Sequence, residues 1–440
     1  MINKNTASND MMKRAIIASF IGTTVEWYDF FLYGTASALI FNHLFFPNFS
    51  DIAGTMASFG AFAAGFIARP IGGVVFGHFG DRVGRKSMLI YSLVGMGLAT
   101  VAIGLLPTYE QVGLLAPMLL ILCRLVQGFA VGGEWGGAVL MSVEHAPKRR
   151  RCLAGSWTQA GSPAGLVLAT VAFGLFSLLP NKEFMAWGWR IPFILSSFLI
   201  VVGLFLRLKV IESPEFNEVK KSKRRSKLPI LDAIKKHPLN IMLAAGACLA
   251  PFVNFYFFAV FILTYATNIL GMERGSVLLM VAIASIIEVA TIPLAALLAD
   301  HIGIRKVFLT GTVLFALYTY PFFFISSELD ISATTLGILT FIGLSLIHPL
   351  MYGPMATLFA EMFTPAVRYS GASLGYQIGA ILGGGFAPLI LTSLLSSGLS
   401  PKVSLSPYLI IVSILTFIAV YFATRNKRML SSTPAYSTAR

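Results

Sequence analysis

Seven ionisable side chains stand inside long apolar stretches of this 440-residue chain: Glu26, Asp29, Arg69, Arg124, Glu134, Glu288 and His348. An ionised group at mid-membrane depth costs about 2.5–3.5 kcal/mol on insertion scales, so such groups need a partner or a wet cavity and mark paths for ions and solutes. Glu26 and Asp29 lie three residues apart and share one helix face, which Tyr33 continues. At a rise of about 1.5 Å per residue they lie about 17–21 Å into their stretch, and Arg124 about 17 Å from the far end of its own. The matching depths predict that Arg124 pairs with Asp29 or with Glu26 in one conformation. Burial and a nearby guanidinium act in opposite senses on a carboxylate's proton affinity, so the pair is suited to load and release a proton. A static ion pair tying helices together is the plainer alternative. Arg69 and Glu134 lie at matching depth nearer the inner end and are able to pair there. Gln127 shares the face of Glu134, and Gln159 lies at a similar depth; these read either as binding groups or as helix–helix hydrogen bonds.

A buried guanidinium offers a planar, bidentate site for a carboxylate. Arg124 and Arg69 therefore favour an anionic or zwitterionic organic acid over a sugar or a cation. The proton-coupling candidates are Glu26, Asp29, Arg124 and Glu134. The substrate-binding candidates are Tyr33, Arg69, Arg124, Gln127 and Gln159, with Asn254, Tyr256, Glu288, His348, Tyr352 and Gln377 from the second half. A lone His or Tyr in a helix is as readily a packing residue. Glu288, as an unpaired acid in an apolar stretch, is harder to explain that way.

The elements that must position these groups follow from composition. The chain is 56% hydrophobic and 12% charged, against about 45–50% and about 25% in soluble domains. This excludes a soluble enzyme, a disordered chain and a nucleic-acid-binding domain. Stretches long enough to span a bilayer as helices, about 20 apolar residues each, occur near 15–40, 53–77, 87–106, 113–143, 153–179, 189–207, 240–268, 276–299, 306–326, 332–361, 369–396 and 405–424. The first is too long for a signal-peptide core and is expected to be retained. Of 33 Lys and Arg, only Lys182, Arg190, Arg274 and Lys402 fall outside if the N-terminus is inside, and Arg69 and Arg124 fall within spans. That asymmetry places both termini in the cytoplasm. The net charge of +14 then reads as an orientation device and an attraction to anionic inner-leaflet lipid. Cys123, Cys152 and Cys248 carry no metal-ligand or redox spacing and are expected as free thiols. No metal, no nucleic acid and no cofactor is expected, the proton being the coupling ion. With no nucleophile–base motif the chain does not read as an enzyme, and a monomer is expected.

Residues 208–239 form a basic linker between a six-helix half at 15–207 and another at 240–424, flanked by cytoplasmic tails at 1–14 and 425–440. The halves echo each other. The segment Gly77 to Lys86, with Asp81, recurs as Ala296 to Lys306, with Asp300; Glu144, Ser156, Gln159 and Gly161 recur as Glu361, Ser373, Gln377 and Gly379. Such spacing implies duplication of a six-span unit, and two parallel halves related by an axis along the membrane normal are a known transporter plan. The glycines of Gly128 to Gly137 and of Gly375 to Gly385 read as close helix packing. The fold class is thus all-α and polytopic, with twelve spans in two halves related by a pseudo-two-fold axis.

Gly77-x-x-x-Asp81-Arg82-x-Gly84-Arg85-Lys86 and Arg124-x-x-Gln127-Gly128-x-x-x-Gly132-Gly133-Glu134-Trp135-Gly136-Gly137 resemble two hallmark motifs of the major facilitator superfamily. With Glu26-Trp27-Tyr28-Asp29-Phe30, Arg69-Pro70-Ile71-Gly72-Gly73, Trp187-Gly188-Trp189-Arg190-Ile191-Pro192-Phe193 and Glu212-Ser213-Pro214-Glu215-Phe216, the chain is similar to the metabolite:proton symporter family, whose members include shikimate, α-ketoglutarate, citrate and proline/betaine carriers. The resemblance runs from about Ile17 to Pro388. It implies alternating access in a bacterial inner membrane, with inward substrate movement driven by protons. It also implies a latch in which Gly77, Asp81, Arg82, Gly84, Arg85 and Lys86 face the start of span eleven near Arg368 and hold the outward-open state. His301 and Ile304 replace two of the latch arginines in the second copy, which reads as degenerate. A proton-antiport exporter or an uncoupled facilitator is the alternative on the same fold. A betaine-type osmosensor would be expected to carry a long C-terminal coiled coil, and the polar tail after Thr424 lacks heptads.

Overall fold

Apolar stretches that cannot leave backbone groups unpaired in lipid must close their hydrogen bonds within helices, and each of the expected spans is helical in the computed structural model. It describes residues 4–83, 85–132, 134–144, 146–209, 229–328, 331–363 and 367–425, and among these no strand occurs. The spans are, in order, Lys4–Leu39, Asp51–Val83, Arg85–Leu105, Leu115–Val131 with Trp135–Glu144, Arg151–Ser177 and Arg190–Lys209 in the first half. In the second half they are Pro238–Ile269, Arg274–Ile302, Ile304–Glu328, Ala333–Met362, Arg368–Leu395 and Ser406–Arg425. They are called spans one to twelve below. By length and composition, eight helices among the described residues suffice to cross a membrane, and the pair Asn181–Gly188 and Arg190–Phe205, bent by 43°, makes a ninth. Ile90–Leu105 and Leu115–Val131 are shorter apolar helices.

Span four departs from the expected continuous helix at 113–143: it stops at Val131 and resumes at Trp135. Spans two and four cross closely just before this point. A side chain on Gly128 would collide with the carbonyl of Gly65, and one on Gly132 with the carbonyl of Arg69. Only glycine permits such backbone approach. Wide π-helical turns interrupt span seven at Phe257–Phe261 and Tyr265–Ile269, span ten at Ile342–Ile347 and span eleven at Ala380–Gly385. Such turns gather at functional positions in helices.

The molecule is apolar outside and polar at its centre. Leu98, Leu168, Phe198, Leu279, Leu317 and Ile411 are exposed, whereas Asp29, Arg124, Gln127, Asn254, Glu288 and His348 are buried. That inversion is what a lipid solvent requires. The halves touch at both ends. At the end where spans five and eight meet, Gln377 Nε2 donates to the carbonyl of Gly132 at 3.0 Å, and Trp135 stacks on Tyr376 at 3.7 Å. At the other end Thr264 Oγ1 donates to the carbonyl of Ala38 at 3.3 Å, and Arg274 lies over the ring of Phe184 at 5.0 Å. With its central polar groups shut off from solvent at both ends, the structure is an occluded form.

Candidate functional site

In the first half, spans one, two, three, four and six converge on a charged network. Arg124 donates to Gln127 Oε1 and, at 3.2 Å, to the carbonyl of Phe62. Its guanidinium lies 4.0 Å over the ring of Tyr33 and 4.4 Å over that of Phe30. Gln127 Nε2 donates to Thr100 Oγ1 at 2.8 Å and reaches the backbone carbonyl of Asp29 at 3.5 Å. The Asp29 carboxylate accepts from Ser196 Oγ at 2.5 Å and borders Thr100. Arg124 and Asp29, one of the two carboxylates expected to pair with it in one conformation, are linked here through Gln127. Gln127 stands between the two, and Ser196 and Thr100 hold Asp29 on its far side. The hydrogen bonds of the guanidinium thus go to two neutral acceptors.

Arg69 lies over Phe30 at 4.1 Å, Phe66 at 4.5 Å and Trp27 at 5.5 Å. Each ring face is worth about 0.5–2 kcal/mol to a desolvated cation. Ser92 Oγ lies 3.4 Å from Glu134 Oε2. Arg69, Arg124, Glu26 and Tyr352 all lie within electrostatic reach of the Tyr256 hydroxyl, which has no hydrogen-bond partner. Tyr256 thus carries the second half into the first-half network, and its ring meets Phe62 at 5.8 Å and Phe66 at 5.7 Å. Both side-chain polar atoms of Asn254, two residues before it, are buried without a hydrogen-bond partner among the described residues.

Across the interface, His348 Nδ1 lies 2.5 Å from Glu288 Oε1. The expectation of an unpaired acid is corrected: spans eight and ten bring together residues sixty apart in sequence. Tyr352 stacks on His348 with ring centroids 4.8 Å apart.

Gln159 and Gln377 fall in a separate layer. Gln159 accepts from Trp135 Nε1 at 3.0 Å, and Gln377 spans the halves to Gly132. The structure thus places Asp29, Tyr33, Arg124 and Gln127 in one cluster and Glu288, His348 and Tyr352 in another. It sets Glu134, Gln159 and Gln377 toward the end where spans five and eight meet.

Asp300, the repeat counterpart of Asp81, makes a contact between the halves. Its two carboxylate oxygens accept from the backbone N–H groups of Cys152 and Leu153, each at 3.0 Å, and so cap the first turn of span five from the other half. A carboxylate there satisfies orphan donors and meets the positive end of the helix. Arg151, Arg368 and Glu361 surround this point. The second copy of the loop is therefore formed despite His301 and Ile304. Gly84 and the side chains of Asp81, Arg82, Arg85 and Lys86 lie outside the described residues, as do those around Gly77. Sequence reasoning also missed Ser196, Thr100, Trp135 and Tyr376. Asp300 was visible through its repeat; a serine on span six carries no signal that would single it out.

Residues 14–242 match the family model described as "Sugar (and other) transporter", and residues 243–437 match that described as "Major Facilitator Superfamily". The chain is 44% identical over 386 residues to the Escherichia coli "Inner membrane metabolite transport protein YhjE", covering 86% of each. It is 40% identical over 400 residues to the Escherichia coli "Shikimate transporter", covering 90% of each. Among solved structures, the proton:xylose symporter XylE bound to 6-bromo-6-deoxy-D-glucose superposes with a TM-score of 0.73 at 17% identity, over 94% of this chain and 95% of that one. At that identity the likeness concerns the fold. The chain belongs to the major facilitator superfamily of transporters. It is a polytopic membrane protein that carries metabolites, and its relatives are transporters rather than enzymes.

Proposed function

We propose that the protein imports a small organic acid or zwitterion together with protons, by alternating access, in a bacterial inner membrane with both termini in the cytoplasm. The observation that carries this is the Arg124–Gln127–Thr100 chain beside Asp29. A guanidinium held by neutral partners attracts a carboxylate. A carboxylate held only by hydroxyls is free to change charge when water reaches it. Arg69 adds a second buried cation, on the ring of Phe30 that Arg124 also touches, and two buried guanidiniums favour an anionic group over a sugar or a cation. The relative named for shikimate, a hydroxylated carboxylate, supports that class, and the relative named for the inner membrane supports that location. The charge asymmetry of the loops supports the orientation.

The occluded form supports rocking of the halves about a central site. The Asp300 cap on span five supports the latch read for Asp81, its half-chain counterpart, with span eleven as the partner. Each latch would hold the cytoplasmic end closed.

The test is uptake into proteoliposomes under an imposed inward proton gradient, with labelled shikimate, a dicarboxylate, glycine betaine and xylose as probes. The expected result is accumulation of an acid or the zwitterion that a protonophore abolishes, with xylose excluded. Transport driven outward by an inward proton gradient, or uptake that ignores the gradient, would replace this reading by an exporter or a facilitator.

A further inference from the structure

The Glu288–His348 contact is short and wholly enclosed: both residues are 0% exposed. Phe255 and Tyr352 cover the imidazole, with centroids at 5.2 and 4.8 Å. Among the described residues, Glu288 Oε2 and His348 Nε2 each lack a hydrogen-bond partner. Tyr352, stacked on the imidazole, is itself surrounded by uncharged groups besides Glu288: Tyr256 and Cys248 on span seven, Tyr376 on span eleven and Ser162 on span five. On span nine Tyr318 is spent on the carbonyl of Leu339, and one turn before Glu288 the carbonyl of Ala284 is taken by Ser345 of span ten. Arg69, Arg124 and Glu26 act on Tyr256, across the interface.

In such surroundings a net charge of either sign is strongly disfavoured. An imidazolium beside a carboxylate and an imidazole beside a carboxylic acid both sum to zero, and each contains one titrating proton. Groups this tightly coupled titrate as one unit. We propose that Glu288 and His348 form a proton-holding dyad, which keeps a single shared proton while the site is closed and exchanges it with water through Oε2 and Nε2 when the halves part. Parting is built into its cover, because Phe255 packs on Phe31 of span one at 5.2 Å. The dyad would be a second ionisable site, in the opposite half from Asp29. Its use in transport rests on the reading above, but its proton chemistry does not.

The test uses reconstituted full-length protein carrying ring-labelled histidine, followed by infrared difference spectroscopy across pH steps in light and heavy water, with no substrate present. A buried carboxyl band and a labelled imidazole band are expected to change together over one transition. Glu288→Gln should abolish both changes, and His348→Asn should move the carboxyl transition by about one pH unit or more, a tenfold change in proton affinity. If neither variant folds, the labelled native protein decides alone through the paired bands. Bands that stay fixed across the pH range, or an imidazole that titrates without its carboxyl, would overturn the proposal. A titrating dyad in a protein that fails to accumulate any probe would count against proton-coupled import and leave the dyad standing.

Discussion

Arg124 shows how this chain buries a guanidinium. Its hydrogen bonds go to Gln127 and a backbone carbonyl, and its flat faces go to Tyr33 and Phe30. Lysine cannot reproduce a planar fork stacked on rings. Arg124→Lys should therefore reduce uptake at least about tenfold while leaving the thermal midpoint near that of the native protein, a loss of about 1.4 kcal/mol or more in transport free energy. Asp29→Asn keeps the Ser196 contact as a neutral hydrogen bond. It should retain substrate exchange at equal pH on both sides and lose gradient-driven accumulation. Counterflow and accumulation assays on the same liposomes separate these two quantities. The ionisable residues themselves were legible from the sequence, because a charge inside an apolar run is a local feature. Their partners were not. Asp29 meets Ser196 from 167 residues away, and Glu288 meets His348 only because spans eight and ten pack together.

Helix ends and helix crossings carry the mechanical side. The Asp300 cap joins the halves through two backbone N–H groups of span five. Removing a cap of this kind costs about 0.5–2 kcal/mol, which corresponds to a shift of about 5–30-fold for one to two kcal/mol. Asp300→Ala should open the end where spans five and eight meet, seen as faster labelling of the buried Cys152 thiol by a water-soluble maleimide; unchanged labelling would show that the cap does not hold that end. Spans two and four cross through Gly65 and Gly128 with no room for a Cβ, whereas Gly60 has open space around it. Gly128→Val should lower the melting temperature in detergent or prevent folding, since overpacking costs about 1–3 kcal/mol. Gly60→Ala should be neutral. The crowded glycines were legible as a packing motif. The backbone that each glycine meets was not, because the approach of Gly132 to the carbonyl of Arg69 depends on how span two packs and not on the sequence of span four alone.

Taken whole, the chain is two charged clusters facing each other inside an apolar shell, closed at both ends. The span pattern and the duplication were readable along the chain because hydropathy and loop charge are set locally by the bilayer. The occluded arrangement was not readable, because it depends on contacts such as Gln377 with Gly132 and Thr264 with Ala38 that join the two halves. Those contacts cannot both persist while a solute crosses. A disulfide or short cross-link replacing either one should therefore stop transport and leave binding at the other end intact. The most direct measurement of the central claim is simultaneous recording of solute and proton flux in proteoliposomes, with shikimate and glycine betaine as probes and no membrane potential imposed. Proton entry is expected to start on addition of the transported acid or zwitterion and to vanish in Asp29→Asn. Solute entry with no accompanying proton movement would contradict it.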